Sequence, residues 1–308
     1  HESSELGILH PEYVLSFCGV EAQASDKPQC LLDNAFMSSL DALQKASCWT
    51  GMGSPFLTPV DPTPLGAPRW VATHPQLSQG LGLSADWWQD TQALSCMAGN
   101  APSPLGPHWA GVYSGHQFGV WAGQLGDGRA MSLGEVDTGD QVLELQLKGT
   151  GRTPYSRFGD GRAVLRSSIR EYLGSLAMEG LGIPSTQALC LVSSEDPVIR
   201  ETLETAAVVC RVSPSFIRFG HFEHFSVNGQ HRQLHELVNR VWSWHFERQE
   251  PDASIPVSSE PALALFHSVV NATADLMAHW QSVGFCHGVM NTDNMSALGL
   301  TLDYGPFQ

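Results

Sequence analysis

The sequence predicts an α+β fold from the order of its periodic segments and from where glycine, lysine and glutamate fall within that order. Past His108, short β-like runs at 112–113, 119–122, 130–135 and 142–147 are broken by glycine. In the last run Glu144, Gln146 and Lys148 alternate with Leu143, Leu145 and Leu147, the period of a strand with one buried face. A helical pattern over 163–179 is stopped by Gly180, Gly182 and Pro184. Two more strands fit 187–192 and 206–212, and a second long helix fits 262–283, ended by Gly284. Strands, a glycine-rich turn, a lysine-bearing strand, a helix, two strands and a mostly helical remainder follow the order of a protein-kinase-like, bilobal fold.

Residues 1–107 read as an N-terminal extension, irregular, with short helices near 32–44 and 86–97 and with Trp87, Trp88 and Trp109 as packing aromatics. Residues 108–205 read as the kinase-like N-lobe, and 206–308 as a partial C-lobe with a metal-binding loop. The chain begins at His1 instead of Met and stops at Pro306-Phe307-Gln308 directly after a patterned segment. Both ends therefore read as breaks in a longer protein, and the C-lobe as incomplete.

A hydrophobic content of 42% fits an ordinary globular protein. The formal net charge of -15 argues against a general nucleic-acid binder, whose affinity is carried by excess Lys and Arg. The charge is uneven, because Arg129, Arg152, Arg157, Arg162, Arg166, Arg170 and Lys148 crowd into one stretch. That stretch suits an anion site, or else a solvated, salt-bridged helix face. The seven cysteines form no CxxC pair, which predicts a reducing compartment, with Cys190, Cys210 and Cys286 as small buried hydrophobes. No window is long and apolar enough for a membrane span, and no signal peptide is visible.

Three separated features fit nucleotide binding in the correct chain order. Gly126-Asp127-Gly128 lies between strand candidates, where missing side chains let backbone N–H groups approach phosphate; a tight hairpin is the competing reading. Lys148 ends its strand, and Glu171 lies 23 residues beyond it on the following helix. A kinase uses such a pair to aim the lysine at phosphates, whereas two exposed, unrelated side chains would read the same way in sequence. The run His287-Gly288-Val289-Met290-Asn291-Thr292-Asp293-Asn294, followed by Asp303-Tyr304-Gly305, has the spacing of the kinase catalytic and metal-binding loops. Asn294 and Asp303 then fall on the metal positions, as hard oxygen ligands for Mg²⁺; turn or capping roles for Asp293 and Asn294 are the competing reading.

Val289 stands where a kinase places its catalytic Asp, and it cannot accept a proton. Ordinary phosphotransfer is expected to be impaired unless Asp293 supplies the carboxylate. Arg211 and Arg218 flank Pro214, near the place where kinases offer backbone groups to adenine. Forked cations suit phosphate oxygens better than an adenine edge. If both point into the cleft, the nucleotide lies reversed, its terminal phosphates inside and its α-phosphate at the mouth. Attack there transfers AMP and releases pyrophosphate.

The strings Tyr113-Ser114-Gly115-His116-Gln117-Phe118-Gly119, Gln124-Leu125-Gly126-Asp127-Gly128-Arg129, Lys148-Gly149-Thr150-Gly151-Arg152-Thr153-Pro154-Tyr155-Ser156-Arg157, Phe158-Gly159-Asp160-Gly161-Arg162-Ala163, Arg218-Phe219-Gly220-His221-Phe222-Glu223 and the stretch 287–307 resemble the selenoprotein O (YdiU) family of protein adenylyltransferases. The resemblance covers about residues 32–307. It implies a pseudokinase fold that binds ATP in a flipped pose and, with Mg²⁺ or Mn²⁺, AMPylates Ser, Thr or Tyr hydroxyls of protein substrates. By position it implies that Gly126, Gly128 and Arg129 form the nucleotide loop and that Glu171 positions Lys148 against phosphate. Asp160 and Gly161 would join the nucleotide pocket, and Arg211 and Arg218 would hold the inverted phosphates. Asp293 would be the proton acceptor, with Asn294 and Asp303 on the metal and Asp303 also beside the nucleotide. Family members continue past this point and often end in a Cys or selenocysteine. A bacterial member would be cytoplasmic and a eukaryotic one mitochondrial.

UMP transfer with Mn²⁺ is a related activity. His287-Gly288 also fits a small-molecule phosphotransferase, against which Val289 counts, and a non-catalytic ATP-binding pseudokinase needs only the binding residues. Nucleic acid and membrane are not expected partners.

Overall fold

The computed structural model describes residues 38–247 and 260–307. They belong to one compact unit, Ser38–Gln308. In chain order the elements are β1 (Lys45–Ala46), β2 (Leu57–Pro59), β3 (Arg69–Thr73), α1 (Pro75–Gly80), α2 (Thr91–Met97), β4 (Trp109–Gly111), β5 (Ser114–Gln117), β6 (Val120–Gln124), β7 (Ala130–Asp137), β8 (Val142–Lys148), β9 (Ala163–Val164), α3 (Leu165–Gly180), β10 (Gln187–Ile199), β11 (Leu203–Ser213), α4 (Phe219–Val227), α5 (His231–His245) and α6 (Pro261–Ser282). Nine strands form one sheet, in the order β2-β4-β7-β8-β11-β10-β3, with β1 added beside β7 and β9 beside β11. Every pairing is antiparallel. β5 and β6 pair separately as a two-stranded hairpin. The α+β expectation is met by this arrangement of a large antiparallel sheet and helices.

Strand β8 departs from the expectation in a way that matters for the site. Its leucines Leu143, Leu145 and Leu147 enter the main core with Leu40, Leu77, Trp87 and Met97, so part of the stretch expected to be an irregular extension covers this face of the sheet. The polar face is buried as well: Glu144, Gln146 and Lys148 are each less than a tenth exposed. Alternation sorted the side chains as expected, but the opposite face is buried too, and only its Lys148 end lines a cleft. In β11 the same alternation sends Val208, Cys210 and Val212 into the core and leaves Arg211 directly across from Gln146.

Helix α3 begins at Leu165, because residues 163 and 164 pair with β11 as β9. Tyr172 packs on Ala188, Leu191, Ala207 and Val209, which fixes α3 over β10 and β11. The β10–β11 hairpin runs beyond the expected 187–192 and 206–212, through a register shift between Ser193 and Pro197. Of the helix expected over 32–44, residues 32–37 lie outside the described residues; the rest is a single 3-10 turn, Ser39–Ala42, whose end Ser38 and Asp41 cap reciprocally. Helices α4, α5 and α6 share a second core around Phe225, Leu237, Val241 and Leu265. Cys190 and Cys210 are buried, but Cys286 is exposed, contrary to its apolar surroundings in sequence. Among the described residues no helix is long and apolar enough to cross a membrane.

Candidate functional site

A cleft of about 1050 Å³ opens beside the polar faces of β8 and β11. The residues singled out from sequence, Gly126, Gly128, Arg129, Lys148, Asp160, Gly161, Glu171, Arg211, Arg218, Asp293, Asn294 and Asp303, all line it. Several different elements bring them there.

At the inner end, charges of both signs are packed together. Lys148 Nζ lies 2.7 Å from Glu171 Oε2 and 2.8 Å from Asp303 Oδ1. Arg211 Nη1 donates to the same Asp303 oxygen at 2.9 Å and to Glu171 Oε1 at 3.2 Å, and its Nη2 donates to Gln146 Oε1. Arg218 Nη1 donates to Asp303 Oδ2 at 2.6 Å and to the Asp293 carbonyl at 2.7 Å. Three cations thus face two carboxylates, with Asp303 shared by all three. Burial alone would raise the Asp303 carboxyl, but Lys148, Arg218 and Arg211 hold it well below the usual carboxylate range, so it stays ionised. Burial would likewise lower Arg218, and the Asp303 charge overcomes it. The buried Nε atoms of Arg211 and Arg218 have no hydrogen-bond partner, so two donors inside the cage are unspent.

The floor of the cleft is set by buried polar contacts. Asp127 accepts from the Gly111 N–H at 2.8 Å and from Tyr113 Oη at 3.3 Å, and burial pushes its carboxyl up. Gly126 has φ +69°, and a methyl group there would run into the Tyr155 ring, so glycine is required on both counts. Tyr155 and Ser156 belong to a strap, residues 152–161, that crosses the Gly126–Gly128 turn; Ser156 Oγ donates to the Gly128 carbonyl. At the rim, Asp160 pairs with Arg200 at 2.7 Å and caps the Arg162 N–H at 2.9 Å. The Arg200 hydrogen bond leads in holding its carboxyl down, at about 2. The arginine stretch also meets the cleft: Arg166 pairs with Glu204 and Arg170 donates to the Tyr304 carbonyl, while Arg129, Arg152 and Arg157 stand exposed along the opening.

The loop that carries Asp293 and Asn294 docks on the start of α4. The Gly220 N–H donates to the Thr292 carbonyl at 2.9 Å, and Phe219 N–H to the Met295 carbonyl at 3.0 Å. His287 stacks on Trp280 and lies 2.7 Å through Nε2 from the Asp303 carbonyl. A carbonyl only accepts, so Nε2 carries the proton; burial lowers this imidazole and keeps it neutral. Val289 also lines the cleft. Asp293 is held through Oδ2 by Gln117 Nε2 at 2.8 Å, while its Oδ1 is buried without a partner.

Among the described residues, no group of three or more His, Cys, Asp or Glu side chains could hold a metal by itself. Asp303 and Asn294 nevertheless offer hard oxygen donors, with the unpartnered Asp293 Oδ1 nearby in the chain. A magnesium ion is commonly held by one or two carboxylates with the remaining sites filled by substrate phosphates and water. This donor set fits a metal that arrives with a nucleotide.

Sequence reasoning missed Gln146, Asp127, Tyr113 and Gln117. Gln146 was detectable, since it shares the polar face of β8 with Lys148; Gln117 stood in one of the strings that carry the family resemblance, but its partner, 176 residues away, could not be read from them.

The family model described as protein adenylyltransferase SelO matches residues 40–308. Curated relatives named protein nucleotidyltransferase YdiU include one from Paraburkholderia xenovorans, 57% identical over 273 residues, covering 87% of this chain and 51% of the relative. Another, from Bordetella petrii, is 54% identical over 272 residues, with 88% and 55% covered. A third, from Albidiferax ferrireducens, is 56% identical over 276 residues, with 88% and 54% covered. The chain spans about half the length of the curated relatives it matches. With the family match running through the cage and both loops, the chain belongs to the protein adenylyltransferase SelO family.

Proposed function

We propose that the full-length protein is a nucleotidyltransferase that moves AMP from ATP to Ser, Thr or Tyr hydroxyls of other proteins, on a bilobal, kinase-like scaffold of the pseudokinase type. One observation carries the reading. Lys148, Arg211 and Arg218 converge at the inner end of the cleft with unspent donors, whereas Val289 occupies the usual base position and Asp293 Oδ1 is the unpartnered carboxylate oxygen. A surplus of buried cation suits the terminal phosphates of a flipped nucleotide. On this reading residues 108–205 act as the N-lobe, 206–308 as the first part of the C-lobe, and 1–107 as an N-terminal extension.

In the proposed reaction, Gly126, Gly128, Arg129, Asp160 and Gly161 hold the nucleotide toward the cleft opening. Lys148, aimed by Glu171, and the two arginines bind the terminal phosphates. Asp293 Oδ1 takes the proton from the acceptor hydroxyl as its oxygen attacks the α-phosphorus. The bond from that phosphorus to the bridging oxygen of the β-phosphate breaks, and pyrophosphate leaves against the three cations. Asn294 and Asp303 would hold Mg²⁺ or Mn²⁺, which when bound neutralises phosphate charge. UMP transfer with Mn²⁺ would use the same residues.

The test is ATP labelled at the α- or the γ-phosphate, with Mg²⁺ or Mn²⁺, given to the full-length protein and to Asp303→Ala. Protein-bound α-label that disappears in the variant is the expected result. Label from the γ-phosphate would refute the flipped pose, and nucleotide binding without any transfer would establish the non-catalytic pseudokinase instead.

A further inference from the structure

The β5–β6 hairpin stands outside the nine-stranded sheet, and it is fastened to the loop that carries Asp293 by consecutive residues on both sides. The His116 N–H donates to Thr292 Oγ1 at 2.8 Å, Gln117 Nε2 to Asp293 Oδ2 at 2.8 Å, and the Phe118 N–H to Asn291 Oδ1 at 2.9 Å. Thr292 Oγ1 in turn donates a hydrogen bond to Glu223 Oε2 at 2.7 Å, and the other Glu223 oxygen meets His116 Nδ1 at 3.0 Å. The ring of contacts therefore closes through α4. Phe118 sits at φ +53°, a conformation that a bulky residue keeps only where its surroundings enforce it, and its side chain is exposed. The Asn291 contact to its N–H is such an enforcement. A two-stranded hairpin is marginal alone, so these bonds give this one a fixed place over the loop.

Its effect falls on one carboxylate. Facing Asp293, the Gln117 amide can offer only its NH₂ group, since its oxygen would repel. That bond takes Oδ2 and leaves Oδ1 buried, unpartnered and beside the cleft. Arg218 fixes the same residue through the Asp293 carbonyl, at 2.7 Å. We infer that Gln117 is a positioning residue: its amide selects which Asp293 oxygen is presented to the acceptor hydroxyl, and the His116–Glu223–Thr292 ring holds the hairpin that carries it. The inference rests on Asp293 being the proton acceptor.

The experiment measures α-label transfer from ATP to casein, as an unfolded acceptor, by the full-length protein. Gln117→Ala should lower kcat by about tenfold to a hundredfold, the loss of one hydrogen bond to a charged group, with KM for casein and the ATP dissociation constant changed by less than about twofold. Gln117→Glu has the same shape but sets carboxylate against carboxylate, so it should fall at least as far as alanine. A space-filling role would give the opposite order. In an Asp293→Asn background, Gln117→Ala should add no further loss. Wild-type kcat in Gln117→Ala or Gln117→Glu, with the same urea midpoint as wild type, overturns the positioning role alone. Wild-type kcat in Asp293→Asn overturns the proton-acceptor reading and the inference with it.

Discussion

Replacing Asp303 with Asn tests whether the buried cations exist to receive phosphate. In the wild type, Lys148, Arg211 and Arg218 face Glu171 and Asp303, three positive groups against two negative, so the cage carries one net positive charge. The substitution raises this to two and leaves Arg218 without its carboxylate partner. Breaking a buried pair from one side costs about 3 kcal/mol, which for a domain of this size lowers Tm by about 6 °C. Affinity for metal-free pyrophosphate should move the other way, because Asp303 no longer competes for the cations. One unit charge about 4 Å away at an effective dielectric of about 20 is worth about 4 kcal/mol, and a third of that is about tenfold in affinity. Calorimetric titration of pyrophosphate in EDTA, on wild type and Asp303→Asn, reads this directly. Equal or weaker binding by the variant would refute the idea that these cations are a phosphate site held ready by Asp303.

Gly161 has φ +72° and its missing methyl would overlap the Gly151 carbonyl, whereas Gly182, at φ +70°, has nothing within reach. Gly161→Ala should therefore lower the stability measured by urea unfolding by more than about 2 kcal/mol and Gly182→Ala by about 1 kcal/mol; equal effects would contradict the steric account. Burial and then the Arg218 charge push His221 down to about 3, so below its ordinary value the unfolded chain binds a proton that the folded chain refuses. Stability should fall as pH drops from about 6.5 toward 3, by about 1.4 kcal/mol per pH unit for this residue, and His221→Asn should flatten that slope in urea titrations.

Much of the site was legible in the sequence. The Lys148 and Glu171 spacing anticipated a pair that closes at 2.7 Å. Asp293, Asn294 and Asp303, picked out by their spacing, all line the cleft. The reach of Arg211 was not: the sequence could say that a guanidinium lay near the strand end, but the contacts of that group with Gln146, Glu171 and Asp303 come from three different elements. The strand expected at 112–113 was misplaced, since β4 ends at Gly111 and β5 starts at Ser114. A two-residue apolar run has too little period to fix a boundary.

The sequence by itself determined the alternation of β8, the presence of a strand at β11, the long helices α3 and α6 and the glycine turns, because each is a local property of neighbouring side chains. Only the tertiary structure decided that the polar face of β8 would be buried, that residues from Ser38 onward would cover the sheet, and that Gln117 would grip Asp293. The reason is physical: alternation says which side chains share a face, and only packing against distant elements says whether that face meets water, core or a cage of charge.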